Sequence, residues 1–182
     1  MITNRRILSM SIQYASESGI VILGLGNYLM QDEGVGVHLA RILEANYQFD
    51  PVVSVIDGGT MGLDLMPYFQ ENERVLIIDA MDADKPPATV FTLQNDSILA
   101  QLKTKLSLHH LGLSDVLGTI KLLDMEPSEI FLLGIQPAEI TTSIELSDTI
   151  SRKLPAIIDI ILEKLRAWDV QVQPVSERTI VQ

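Results

Sequence analysis

Two adjacent acids, Asp32 and Glu33, stand in a glycine-punctuated run, Gly24-Leu25-Gly26-Asn27-Tyr28-Leu29-Met30-Gln31-Asp32-Glu33-Gly34-Val35-Gly36. Two more residues able to coordinate a metal follow. Asp79 ends the apolar run Val75-Leu76-Ile77-Ile78, and His109 lies in Ser107-Leu108-His109-His110-Leu111. Taken together, Glu33, Asp79 and His109 offer two carboxylates and one imidazole. Such a set suits zinc, nickel, iron or manganese, at about 2.0–2.2 Å in the zinc case. The Irving–Williams order puts nickel above cobalt, iron and manganese at N/O sites and copper above nickel, so donor type alone does not choose the ion.

Each residue also has a structural reading. Glu33 can be an acid favoured at a helix start by the macrodipole. Asp32 is expected to be the cap, accepting backbone N–H bonds. Asp79 closes an apolar strand, where a carboxylate is costly to desolvate unless it is paired or bound, although it can cap the turn of residues 80–83. His109 and His110 are chemically equivalent candidates, and His38 is expected at the surface. Asp57-Gly58-Gly59-Thr60 reads as a tight turn, with Asp57, Gly58 and Gly59 as an alternative lining for a substrate groove.

The elements that must position these groups follow from periodicity. Residues 20–23 form a continuous apolar run, predicting a strand covered on both faces. Apolar residues at 35, 39, 42, 43 and 45 predict a helix over 35–47. Further strands are expected at 52–56, 74–80 and 129–133, the last closed by Gly134, with an edge strand at 89–93 beyond Pro86-Pro87. Short helical pieces are expected at 61–69 and a helix at 112–123 with Ser114 as its cap. A long terminal helix is expected over 147–168, kinked near Pro155. Strands alternating with helices predict a three-layer α/β/α sandwich with a mostly parallel twisted sheet. The acids would then sit outside the carboxyl ends of strands, where such sheets gather ligands.

The chain has 182 residues, no cysteine and a formal net charge of −11. That length fits a single domain, expected over 20–168, with a flexible leader at 1–19 and a loose polar tail at 169–182. Met10 is an alternative start. Without cysteine there is no thiolate nucleophile, zinc–thiolate site, iron–sulfur cluster or disulfide, which is compatible with a cytoplasmic setting. The negative charge argues against nucleic acid and anionic membrane surfaces. No apolar run approaches the ~18 residues of a membrane span. The leader lacks the sustained apolar stretch of a secretory signal.

Gly24-x-Gly26 after a strand invites a dinucleotide-binding reading, but the third glycine of that fingerprint falls on Leu29. An acidic pair would also face the pyrophosphate. Phosphate-loop, H-E-x-x-H and G-x-S-x-G patterns do not occur.

The motif Gly24-x-Gly26-Asn27-x-Leu29-x-x-Asp32-Glu33-x-x-Gly36 resembles the opening of the hydrogenase maturation proteases. In the same order follow Asp57-Gly58-Gly59-Thr60, the strand ending at Asp79, and His109-x-Leu111-Gly112-Leu113-x-Asp115-Val116-Leu117. The resemblance spans about residues 20–166 and is strongest to proteases serving nickel–iron uptake hydrogenases. It implies an endopeptidase that removes a C-terminal extension from the precursor of the hydrogenase large subunit after nickel loading. It also implies Glu33, Asp79 and His109 as metal-sensing and catalytic residues, the motif's register choosing His109 over His110. The nickel would arrive with the precursor, so the resting enzyme, expected to be a monomer, needs no tightly held metal. Aspartic-type and metal-assisted cleavage both stay open. The alternative from another class is a non-catalytic, nickel-sensing checkpoint that binds the large subunit without cutting it.

Overall fold

The run at residues 20–23 extends into β1, Ile20–Leu25, whose six residues are all buried. The computed structural model describes residues 14–104 and 108–175, leaving aside the side chains of 103–111. After β1 come a 3-10 turn, Gln31–Gly34, and helix α1, Val35–Asn46. Strand β2, Tyr47–Asp50, precedes β3, Ser54–Gly59. A second 3-10 turn, Gly62–Leu65, runs into α2, Met66–Gln70, and β4, Arg74–Ala80, follows. Next are β5, Val90–Gln94, α3, Asp96–Thr104, α4, Leu108–Leu122, and β6, Glu129–Ile135. The chain closes with α5, Asp148–Ser151, α6, Leu154–Ala167, and β7, Gln171–Pro174.

Five strands pair in the order β3-β1-β4-β6-β5. All neighbours are parallel except β5, which runs antiparallel to β6 at the edge. Alternate residues of β1 feed two cores. Ile20 and Ile22 meet Leu39 and Leu43 of α1 and Ile157, Ile161 and Leu165 of α6. Val21, Leu23 and Leu25 meet Phe69 of α2, Ile98 and Leu102 of α3, and Val116 and Ile120 of α4. This is the expected three-layer sandwich. Each fully buried Ile or Leu contributes on the order of 1.5–3 kcal/mol of transfer free energy.

The connections from β1 and β4 leave in opposite directions, to β3 on one side and to β6 on the other. The crevice between the carboxyl ends of these two central strands is therefore the switch point of the sheet. Helix α1 approaches it closely. A Cβ on Gly36 would lie 2.2 Å from the Ile78 carbonyl oxygen and 2.4 Å from that of Leu25.

Several local expectations are corrected. Asp57, Gly58 and Gly59 do not form a tight turn: they are the last residues of β3, pairing with Gly24 and Leu25 across a one-residue register shift. Ser114 lies inside α4, which begins at Leu108, so it is no cap. Gly134 does not close β6, which continues to Ile135. The terminal helix is two helices. Ser147 caps α5 through the Ile150 N–H, and Pro155 sits in the first turn of α6, where its missing N–H costs nothing. Helix α3 has no counterpart in the predicted elements.

The polar tail is tied down over Gln171–Pro174, where β7 pairs antiparallel with β2 and brings Val172 opposite Phe49. Of the leader, residues 1–13 lie outside the described residues. Residues 14–19 are anchored: Tyr14 stacks edge-on against Tyr68 at 5.0 Å. The Asn72 amide accepts from the Ser16 N–H and donates to the Tyr14 carbonyl.

Candidate functional site

At the switch point lies a half-open cavity of about 370 Å³. Glu33, from the 3-10 turn after β1, and Asp79, from the end of β4, both line it. Asp79 is 1% exposed, whereas Glu33 is partly exposed. The walls are Leu25, Leu65 and Leu113, and the rim carries Asn27, Gly59, Thr60 and Gly62. Two carboxylates thus face one water-accessible space with apolar walls, where charge interactions are stronger than in bulk water. Such a pair can hold a divalent cation or take a proton from an attacking water.

The turn that presents Glu33 is set by glycine. Gly26 has φ +123°, and a Cβ there would lie 1.8 Å from the Glu33 carbonyl oxygen, so no side chain fits. Asp79 is placed differently. It pairs in register with Gly134 near the end of a strand buried from Val75 onward, and its position follows from the core.

His109 falls in the first turn of α4; its side chain, like that of His110, lies outside the described residues. Gly112 and Leu113, one turn further on, line the same cavity, so the start of α4 borders it. Among the described residues no group of three His, Cys, Asp or Glu able to hold a metal ion occurs. The structure brings Glu33 and Asp79 together and sets the helix bearing His109 beside them.

Other candidates take different places. Asp32 is not a helix cap. It is fully buried, and its carboxylate accepts from the Ala138, Glu139 and Ser147 N–H groups and the Ser147 hydroxyl, at 2.8–2.9 Å. These partners are more than 100 residues away, and nothing local signals them. Of the trio considered as a groove lining, only Gly59 reaches the cavity. Asp57 forms an ion pair with Arg41 of α1 at 2.8 Å. Gly58 is buried, and a Cβ there would lie 2.8 Å from Leu25 Cδ2.

His38 is half-buried rather than on the surface, its ring 4.7 Å from that of Tyr28. Burial and then the nearby Arg41 charge hold its pKa below the usual histidine value. The Arg41 guanidinium lies 4.2 Å over the Tyr28 ring. Sequence reasoning gave no role to Arg41, Asn27 or Thr60. For Asn27 and Thr60 the signal was present, since both stand inside motifs that flank strand ends.

A family model described as hydrogenase maturation protease matches residues 37–164. The hydrogenase expression/formation protein HoxM of Cupriavidus necator is 36% identical over 154 residues, covering 82% of this chain and 75% of that protein. The hydrogenase 2 maturation protease of Escherichia coli is 31% identical over 156 residues, covering 85% and 95%. Among solved structures, the hydrogenase maturating endopeptidase HybD from E. coli superposes with a TM-score of 0.80 at 31% identity, covering 85% of this chain and 96% of that one.

Proposed function

The chain belongs to the hydrogenase maturation protease family, and we propose from that premise that its cavity reads nickel already bound in the substrate before a peptide bond is cut. The protein is an endopeptidase that processes the C-terminus of a hydrogenase large-subunit precursor. The observation that carries the nickel reading is the convergence of Glu33 and Asp79, from two different strand ends, on one cavity bordered by the start of α4.

Nickel is cargo of the precursor. Glu33, Asp79 and His109 complete its coordination shell, with oxygen and imidazole donors that suit the ion. Docking through the ion fixes the scissile peptide against the cavity and turns an encounter between two proteins into an oriented reaction. A carboxylate then serves as general base toward water, or the ion polarises the scissile carbonyl. This chain supplies no thiol, having no cysteine; thiolates of the precursor hold the nickel. The protein works as a monomer in the cytoplasm, without nucleic acid or membrane partners. Among the described residues no helix is long and apolar enough to cross a membrane.

The test incubates the protein with the large-subunit precursor, nickel-loaded or nickel-free, and follows the precursor's mass. Loss of a C-terminal peptide from the loaded form alone is the expected result. Glu33→Ala, Asp79→Ala and His109→Ala should each abolish it while leaving the fold intact. Efficient cutting of nickel-free precursor, or unimpaired cutting by all three variants, refutes the proposal. Binding of loaded precursor without any mass loss would instead make the protein a checkpoint.

A further inference from the structure

Asp32 and Glu33 are neighbours with opposite placements. Glu33 lines the cavity. Asp32 is 0% exposed and points into the loop of residues 137–147. Its Oδ2 accepts from the Ala138 and Glu139 N–H groups at 2.9 Å and from the Ser147 hydroxyl at 2.8 Å, and its Oδ1 accepts from the Ser147 N–H at 2.8 Å. The same Ser147 hydroxyl accepts from the Ile150 N–H at the start of α5.

The main chain reinforces this junction. Met30 and Ser143 form a parallel bridge. The Gln31 N–H donates to the Ser143 carbonyl at 2.9 Å, and the Ser143 N–H donates to the Leu29 carbonyl at 3.1 Å. Gln31 itself has φ +51°, a left-handed conformation that a non-glycine residue holds only when its surroundings impose it. A single 3-10 turn has poor hydrogen-bond geometry and little stability of its own. The turn that carries Glu33 is therefore held from outside, and Asp32 makes four charge-assisted bonds of the kind that fix geometry.

We propose that Asp32 is a positioning residue for peptide cleavage: by clamping the 138–147 loop to the 3-10 turn it sets where the Glu33 carboxylate meets the substrate. The inference rests on the reading of Glu33 as a group acting at the cleavage site. Asp32 touches neither substrate nor ion. Its contribution belongs mainly in the rate of the bound complex: Asp79 and His109 still hold the ion when the clamp is cut, while the aim of Glu33 at the reacting atoms is lost. A misplacement of about 1 Å at a reacting group can cost on the order of 100-fold in rate.

Asp32→Asn is the sharpest probe. An amide oxygen in the Oδ2 place keeps three acceptor contacts, while the NH₂ group faces the Ser147 N–H, donor against donor. Asp32→Ala removes all four bonds. Single-turnover processing of nickel-loaded precursor, well below the unfolding midpoint, gives the maximal rate and the half-saturating enzyme concentration. The expected result is a maximal rate lowered roughly tenfold in D32N and about 100-fold in D32A, with half-saturation within about twofold of wild type. A folded D32N with the wild-type maximal rate overturns the inference, as does a change confined to half-saturation. If neither Asp32 variant folds, Ser147→Ala decides: it deletes one of the four bonds, along with the α5 cap bond from Ile150, and should lower the maximal rate a few-fold; a wild-type rate there overturns the inference. The wild-type protein is the separating control. If it leaves loaded precursor uncut, the parent reading fails; if it cuts and D32N keeps pace, the positioning role alone fails.

Discussion

The two ends of the parallel sheet use carboxylates in opposite ways. At the amino end, Glu129 opens β6 and accepts from Lys164 Nζ at 2.6 Å and from Trp168 Nε1 at 2.8 Å. Lys164 lies over the Trp168 and Phe131 rings, and Arg74 donates to the Trp168 carbonyl. Burial alone would raise the Glu129 pKa; the bonds from Lys164 and Trp168, with the charges of Lys164 and Arg74, outweigh it and hold the pKa below the usual value. At the carboxyl end, Glu33 and Asp79 face a cavity of about 370 Å³. One end ties α6 to the sheet with a carboxylate surrounded by donors. The other keeps two carboxylates turned toward a space that a guest can enter. Under the proposed reaction, the contrast separates stability from reactivity along a single set of strands, with the cavity where such sheets gather ligands, outside strand carboxyl ends.

The largest effect is expected at the cavity, where the carboxylates are proposed to act and not merely to hold the fold. Asp79→Asn should lower processing by at least about 100-fold, the scale of a lost acid–base group, while the thermal midpoint stays level or rises. Peptide release and a melting curve on the same preparation check both halves.

A backbone test comes next. Gly36→Ala places a Cβ 2.2 Å from the Ile78 carbonyl oxygen, a contact that no side-chain movement relieves. It should destabilise the protein by about 1–3 kcal/mol and reduce processing with it. Gly118→Ala is the counterpart in α4, where nothing lies within 4 Å of the added Cβ. It should stabilise by about 0.5–1 kcal/mol and leave processing alone. Urea unfolding midpoints distinguish the two signs.

At the amino end, Glu129→Gln should cost about 1 kcal/mol, a modest figure because the carboxylate is partly solvated, with processing retained. Its pH dependence sharpens the contrast further. A carboxyl whose folded pKa lies below its unfolded value contributes stability that is complete above the unfolded value and fades as pH falls through the folded one. The stability gap between wild type and E129Q should therefore be constant near neutrality and close below the usual carboxyl value of 4.5. Unfolding midpoints of the pair across acid pH measure this.

Legibility followed the range of the interactions. Strands β1, β4 and β6 announced themselves as unbroken apolar runs, and the sandwich followed from their alternation with helices. The place of Asp79 at the cavity was legible because a carboxylate closing such a run stands out. What failed was local chemistry overridden by distant partners. Asp32 looks like a cap, yet its acceptors serve N–H groups 106 and 107 residues along the chain. Asp57-Gly58-Gly59 looks like a turn, but β1 pairs with Asp57 and Gly59 and leaves Gly58 as the extra residue between them. The β2–β7 pairing joins a short segment to a tail too polar to read as a strand. Asp57 found its partner, Arg41, on the preceding helix, a contact that depends on how α1 lies across β3.

In the proposed reaction this chain completes the coordination of nickel carried by its substrate. Nickel X-ray absorption of the loaded precursor, alone and rapidly frozen with the protein before turnover, tests it most directly. New oxygen and nitrogen scatterers are expected in the complex, at about the 2.0–2.2 Å typical of zinc with the same donors, and are diminished by Glu33→Ala, Asp79→Ala or His109→Ala. An absorption spectrum identical with and without the protein, in samples where the two are shown to be bound, would contradict it.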